Sequence, residues 1–509
     1  MGYTIKRRKI NRIRLGAKPR VLDLFSGCGG ISLGFYTAGY RIVGSIESDK
    51  QAVLTHASNF FKFENQETIA LHSKPHDIRN TTPGELIKEL GLGGNTASAV
   101  DIIVGGPPCQ AYSRVGRAKL REIHNHEDAF LNDPRAGLYH RYLEYVSQLQ
   151  PLALLMENVP DMTNQGGRNL ADEICSSLTE LGYKCSYTLL NAAHYGIPQT
   201  RDRLFLMAFA EELGTAPSFP DPTHWIQLPS GYQANRRIMI KKFETLFGGQ
   251  DAFYTEPPTV GPDLLPVTTV SEAISDLPVL TFHLEGLIEK GIKHFDRLLE
   301  YPATKLLSSY ARLMRSWPGF ENHTGVYDHV LRYLPRDYPI FKRMNPGDEY
   351  PDAYRCAMEI FKEKLKEIDP YGTLGPGNKI YEQIKKTTVP PYDANKFPNK
   401  WRKLEPDKPA RTLMAHLSRD GYSHIHYDSS QARTITPREA ARLQSFPDGF
   451  VFKGSMQSAF SQIGNAVPPL LAYRIAVSMS KAIGFEYDNL SNDNIIQPTN
   501  LNRGNQESG

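Results

Sequence analysis

The sequence predicts an α/β protein: a doubly wound, mainly parallel sheet with a long irregular region inserted into it. Three observations carry this expectation. Over residues 20–213, short apolar runs ending in glycine or polar turns alternate with helical spacings. From about residue 214 the texture shifts to proline, glycine and rings, and regular helical segments return towards the C-terminal end. With 40% apolar and 22% charged residues, 509 residues can build more than one core, which excludes collagen-like, coiled-coil and wholly disordered classes.

Taken in order, residues 1–17 form a basic arm. Lys6, Arg7, Arg8, Lys9, Arg12 and Arg14 stand there without an acid, a pattern suited to phosphate contact and equally to a solvated tail. VLDLF (Val21–Phe25) reads as a first strand, SGCGG as a turn and ISLGFYTAGY as a helix; RIVGSIE is a second strand. DIIVGG (Asp101–Gly106) and LALLMENV (Leu152–Val159) are further buried strands. Such runs between helices indicate a parallel sheet covered on both faces, in which ligands bind at the carboxyl ends of strands. Residues 214–268, including TEPPTVGPDLLP, read as loop. HFDRLLEYPATKLLSSYARLMRSW, split by Pro302, and DAYRCAMEIFKEKLKEI have amphipathic helical spacing. TPREAARLQSF starts a helix with Thr436 as cap and Pro437 in the first turn, and LLAYRIAVSMSKAIGF is another helix.

The net charge of +4 is mild, so placement of charge matters more than its sum. Between Asn378 and Lys403, seven basic residues face two acidic ones and alternate with Tyr381, Tyr392, Phe397 and Trp401, a mixture that suits nucleic acid. No apolar run approaches the ~18 residues of a membrane-spanning helix, and no signal-like apolar segment follows the charged start. Five cysteines without a C-x-x-C pair argue against a disulfide framework or a structural zinc site, and place the chain in a reducing, cytoplasmic setting.

Strand, FSGCGG and helix together make a ligand-cradling turn. Glycines allow close backbone approach, and the helix start favours an anionic group. The spacing from Gly27 is G-x-G-x-x-S, so the dinucleotide fingerprint is incomplete. Glu47, at the end of the second strand, is placed to bind two ribose hydroxyls, Asp77 to accept from an adenine amino group, and Phe25 to offer its ring to the base. A ligand with an adenosine half and a carboxylate end fits S-adenosylmethionine; a tight turn with capping acids is the plainer alternative.

The sharpest signal is GGPPCQAYS, Gly105–Ser113. A cysteine directly after two prolines at a strand end is held on a stiff turn, and a thiol is intrinsically very nucleophilic once ionised. Cys109 therefore reads as a nucleophile, whereas Cys28, Cys175, Cys185 and Cys356 read as ordinary buried residues.

Six segments, DLFSGCGG, GGPPCQAYS, MENVP, YGIPQTRDRLFL, TPREAARLQSFPDGF and QIGNAVPP, resemble the main motifs of the DNA (cytosine-5)-methyltransferase family, in the family's order. The resemblance implies the S-adenosylmethionine-dependent methyltransferase fold with an inserted target-recognition domain. It divides the chain into the arm 1–17, catalytic residues 18–214, a target-recognition region 215–432, a return at 433–485 and a disordered tail 486–509. It implies catalysis by Cys109, Glu157, Arg203 and Arg201. Cys109 adds to cytosine carbon 6, Glu157 contacts ring nitrogen 3 and the exocyclic amine, Arg203 bonds the cytosine carbonyl, and Arg201 orders the site or a phosphate nearby. It also implies a cofactor pocket from Phe25, Ser26, Gly27, Cys28, Gly29, Gly30, Glu47, Asp77, Pro107, Asn465 and Val467, with the helix after GNAV packed beside the first strand.

To donate to nitrogen 3 the Glu157 carboxyl must be protonated at least transiently. The base must leave the duplex to reach such a pocket, and residues 110–129, with Arg114, Arg117, Lys119 and Arg121, resemble the family's mobile loop. His124 and His126 stand there as H-x-H without a suitably spaced third ligand, so no metal is expected. With no large domain ahead of the first strand, the chain resembles bacterial or phage modification enzymes: a monomer on duplex DNA, near the nucleoid, with a cognate restriction or defence nuclease as companion. A transfer-RNA cytosine methyltransferase of the same fold and an inactive DNA-binding relative are the alternatives.

Overall fold

The computed structural model describes residues 4–108, 137–164, 168–228, 253–287, 297–303, 306–394 and 396–486. Contacts divide the chain into two units, Met1–Val267 with Val451–Lys453 and Ala466–Gly509, and Thr268–Phe450 with Gly454–Asn465.

The first unit opens with α1 (Ile5–Arg14), then β1 (Arg20–Leu24), α2 (Gly30–Thr37), β2 (Arg41–Ile46), α3 (Lys50–Phe60) and β3 (Ile102–Gly105). It continues with α4 (Leu138–Leu149), β4 (Ala153–Asn158), α5 (Leu170–Glu180), β5 (Tyr183–Asn191) and β6 (Asp202–Ala210). The sheet order is β2-β1-β3-β4-β6-β5. β2, β1, β3 and β4 are parallel, and β6 runs antiparallel to both β4 and β5. Side chains alternate along β1. Leu22 and Leu24 join the core under α4 and α5, with Tyr142, Val146, Ile174 and Leu178. Asp23, on the opposite face, bonds Ser32 of α2. Helices thus cover both faces, which is why the strands read as continuous apolar runs.

The N-terminal arm is a helix docked on this unit rather than a free tail. Thr4 caps α1, Ile10 and Ile13 are buried, and the buried Lys9 ammonium donates to the carbonyls of Val100, Leu149 and Gln150 at 2.5, 2.9 and 2.8 Å.

The second unit contains α6 (Ser309–Arg315), α7 (Tyr338–Arg343), α8 (Tyr350–Ile368), α9 (Lys379–Thr388), α10 (Pro437–Leu443) and α11 (Met456–Asn465). The helical reading ahead of Pro302 does not hold for the described residues there. Leu299–Glu300 is extended and pairs with Gly325–Val326. Phe341, Tyr350, Phe361, Trp401 and Tyr422 form the core, with Trp401 stacked on Tyr422 at 4.5 Å. Three of the four rings singled out between Asn378 and Lys403 are used within this unit. Trp401 is wholly buried, Tyr381 meets Phe361 edge-on, and Tyr392 carries the Lys400 ammonium over its face; Phe397 is exposed.

Thr436 caps α10 with Pro437 in its first turn, as the sequence predicts, and Glu439 completes a capping box. The residues from 433 to 450 cluster with this second unit rather than with the sheet, a division that differs from the return expected at 433. The physical reason lies in buried arginines. Arg442 pairs with Asp276 and Asp448, Arg438 with Asp328, and Arg433 with Glu439. The chain then re-enters the first unit as α12 (Pro469–Ile483).

Candidate active site

Two turns meet at the carboxyl ends of β1 and β3. The strands are brought together by Gly105, where a Cβ would lie 2.1 Å from the Leu24 carbonyl oxygen; only glycine permits this approach. The turn after β1 begins at Phe25, a non-glycine residue with φ of 59°, a conformation costing on the order of 1–2 kcal/mol. Its ring packs at the edge of the core. Ser26 donates its N–H to the Ile46 carbonyl at 3.1 Å, tying this turn to the end of β2. Gly27 and Gly29 have positive φ, and Gly29 is the N-cap of α2, where no side chain caps the helix. Cys28 is buried, and burial pushes its thiol well up, away from thiolate chemistry.

Glu47 follows β2 and faces this turn. Its Oε2 accepts the Gly27 N–H at 2.9 Å, and its Oε1 accepts the N–H groups of Ser48 and Asp49 at 2.8 Å each. A carboxylate has about four acceptor positions, so Oε2 keeps capacity for a hydroxyl. The His76 N–H donates to the Glu47 carbonyl, which brings Asp77 alongside; Asp77 itself is clamped by the Arg79 guanidinium, whose hydrogen bonds hold its carboxyl below the usual range. The anion-accepting helix start, the hydroxyl-accepting Glu47 and the adjacent ring of Phe25 fit the two halves of S-adenosylmethionine in their donor and acceptor chemistry.

The GNAV segment closes this region from the far end of the sequence. A Cβ on Gly30 would lie 2.3 Å from the Val467 carbonyl oxygen, so backbone meets backbone. The following helix, α12, packs along α2 rather than beside β1; a Cβ on Gly34 would touch the backbone of Ala472 and Tyr473. Val467 therefore adjoins the turn, while Asn465 ends α11 in the second unit.

At the end of β4, Glu157 accepts from Arg203 Nε at 2.8 Å, and both side chains keep a small exposed fraction (12% and 16%). A Cβ on Gly106 would lie 3.0 Å from Glu157 Oε2, which sets the carboxylate beside the turn leaving β3. Arg203 also donates to the Asp202 carbonyl at 2.7 Å. The two arginines separate. Arg203 lies on β6, whereas Arg201 precedes the strand, is 1% exposed and donates to the Ala466 carbonyl at 3.1 Å. Burial, reinforced by Arg203, pushes the Arg201 guanidinium well below its ordinary value. Of the expected pair, Arg203 keeps some exposure beside Glu157, and Arg201 ties the chain ahead of β6 to Ala466.

Pro107 and Pro108 are described, with Pro107 buried. Cys109 and residues 110–129, His124 and His126 included, lie outside the described residues.

Sequence reasoning missed two features. Asn158, next to Glu157, donates to the Pro107 carbonyl; its adjacency in MENV was the available signal. Beneath the glycine turn, wholly buried Asp23 accepts from Ser32 at 2.6 Å, and Ser32 contacts His56 at 3.0 Å. Burial pushes the Asp23 carboxyl up to about 7 and the His56 imidazole down to about 3. The apolar strand pattern concealed this network, because Asp23 sits mid-strand.

Residues 19–256 and 340–481 match the family described as C-5 cytosine-specific DNA methylase. The chain is 39% identical over 468 residues, 91% of its length and 96% of the other's, to a protein of Oceanobacillus iheyensis named as a type II methyltransferase. It is 28% identical over 493 residues to the type II methyltransferase M.AgeI of Thalassovita gelatinovora, covering 91% of this chain and all of that one. A solved Escherichia coli prophage structure, described as a DNA modification methyltransferase, superposes with a TM-score of 0.57 at 21% identity, covering 92% of this chain and all of that one, and shares the fold.

Proposed function

Because the chain belongs to the C-5 cytosine-specific DNA methylase family, we propose that it methylates carbon 5 of a flipped-out cytosine within a specific duplex DNA sequence, through a covalent bond from Cys109 to carbon 6. The protein is a DNA (cytosine-5-)-methyltransferase. The observation that most supports the detailed reading is the Glu157–Arg203 pair beside the Gly106–Pro107 turn, an acid and a donor at adjoining strand ends.

Carbon 5 of cytosine is a poor nucleophile. Addition of the Cys109 thiolate forms a sulfur–carbon 6 bond and moves the carbon 5–carbon 6 π electrons into an enamine-like system, so that carbon 5 can attack. Glu157 carries a proton at ring nitrogen 3 and accepts from the exocyclic amine, offsetting the charge that the addition pushes there. Arg203 donates to the cytosine carbonyl while remaining the partner of Glu157, and Arg201 keeps β6 fixed against Ala466. When bound, S-adenosylmethionine supplies an electrophilic methyl group, and the turn Phe25–Gly30, Glu47, Asp77, Pro107 and Val467 would hold it. Loss of the carbon 5 proton then expels the Cys109 thiolate and restores the aromatic ring.

The relatives are named type II methyltransferases, which supports a DNA-modification role; a companion nuclease of the same specificity belongs to the proposal alone. Incubation with S-adenosylmethionine and a random DNA library, followed by bisulfite sequencing, is expected to protect one cytosine in one short motif. Absence of protection on DNA, with methylation of transfer RNA instead, would overturn the DNA reading.

A further inference from the structure

The end of β4 carries one more polar side chain than the methyl transfer uses. β3 and β4 stay in parallel register only as far as Gly105 beside Met156. β3 then leaves through Gly106, Pro107 and Pro108, while β4 runs on, its backbone held from the other side by β6, with Glu157 beside Phe205 and Asn158 beside Leu204. The two prolines have no N–H and cannot extend the ladder, so over Pro107 and Pro108 the chain offers only carbonyls by which β4 can hold it. The Asn158 side chain fills that role. Its Nδ2 donates to the Pro107 carbonyl at 3.1 Å, and its Oδ1 accepts the Val159 N–H at 2.9 Å. The second bond sets the orientation of the amide, because an oxygen satisfied by a donor leaves the NH2 end for the carbonyl. Asn158 is 6% exposed, so this contact is largely shielded from water.

We infer that Asn158 is a positioning residue for the reaction: it holds the carbonyl two residues before Cys109, so that the turn leaving β3 keeps one conformation while its neighbour Glu157 faces the base. This rests on the reading of Cys109 as nucleophile. Asn158 acts through the turn, and its loss is a loss of geometry at the reacting sulfur rather than of binding.

The test uses the full-length protein and DNA carrying 5-fluorocytosine in the methylated motif. Asn158→Asp keeps the shape but turns a carboxylate oxygen towards the Pro107 carbonyl; Asn158→Ala removes the contact without repulsion. The single-turnover rate of covalent adduct formation is expected to fall on the order of 10²-fold in Asn158→Asp, the effect of a small misplacement, and about tenfold in Asn158→Ala, the worth of one hydrogen bond. The dissociation constant for DNA stays at the wild-type value, and the rate is read at saturating S-adenosylmethionine. Wild-type adduct rates in the variants overturn the inference alone. A rate that falls only in step with DNA affinity also overturns it, since Asn158 then serves only the fold. An inert wild-type protein, matched by Cys109→Ala, overturns the nucleophile reading and this inference with it. If Asn158→Asp does not fold, Asn158→Ala decides by the same comparison.

Discussion

At the end of β4, Glu157 and Arg203 are close enough to pair and keep a small exposed fraction, which is what the proton exchange proposed for Glu157 requires. Glu157→Gln is expected to lower the single-turnover methylation rate about 10²–10⁴-fold, the usual weight of positioned acid–base catalysis, with DNA retained in a mobility-shift assay. The residue types at this site were legible in the motifs; the division between Arg201 and Arg203 was not. Strand periodicity places both on one face, but Arg201 falls ahead of the strand, where contact with Ala466, far along the chain, decides its role. Asp23 carries a prediction of its own. Its folded-state value, raised to about 7 by burial, lies above that of an unfolded aspartate, so folding takes up a proton between about pH 4 and 7. The wild-type protein therefore loses stability as pH rises through that window. Asp23→Asn, which cannot ionise, should gain relative to wild type on going from pH 5 to pH 8 in chemical denaturation. A stability difference independent of pH would show that Asp23 does not hold this proton.

At the scale of elements, α1 shows how far a charge pattern can mislead. Six cations without an acid read as a phosphate-contacting arm or a solvated tail, yet Lys9 is enclosed by carbonyls of Val100, Leu149 and Gln150, with burial lowering its ammonium to about 7. Those partners are remote in sequence, so no local pattern predicts them. Ile13→Ala should cost on the order of 2–4 kcal/mol if α1 is part of the folded unit, and nothing measurable if it is a loose tail. The close contact of α2 with the GNAV segment makes a second prediction. Gly30→Ala must displace the Val467 carbonyl, so it should weaken S-adenosylmethionine binding in calorimetry by about tenfold or more. Unchanged affinity would exclude this segment from the pocket.

For the whole molecule, the insertion has its own core and its own buried ion pairs. Arg442 is fully buried between Asp276 and Asp448. Arg442→Met leaves Asp448 without its cation and Asp276 with Arg315 alone, an imbalance worth about 3–5 kcal/mol, and should lower the thermal denaturation midpoint clearly. An unchanged midpoint would mean that these carboxylates find other partners. The conspicuous TPREAARLQSFPDGF motif is thus engaged in building the second unit, with Arg438, Glu439 and Arg442 all directed into its interior.

What the sequence determined by itself was the local: the strand runs, the glycine turns, the helix cap at Thr436 and the order of motifs, because each depends on residues within a few positions of one another. The tertiary structure alone decided which cations are buried, which rings are core, and which carbonyl Asn158 holds. Those outcomes depend on partners tens to hundreds of positions away, and burial then reverses what the same side chain does in water.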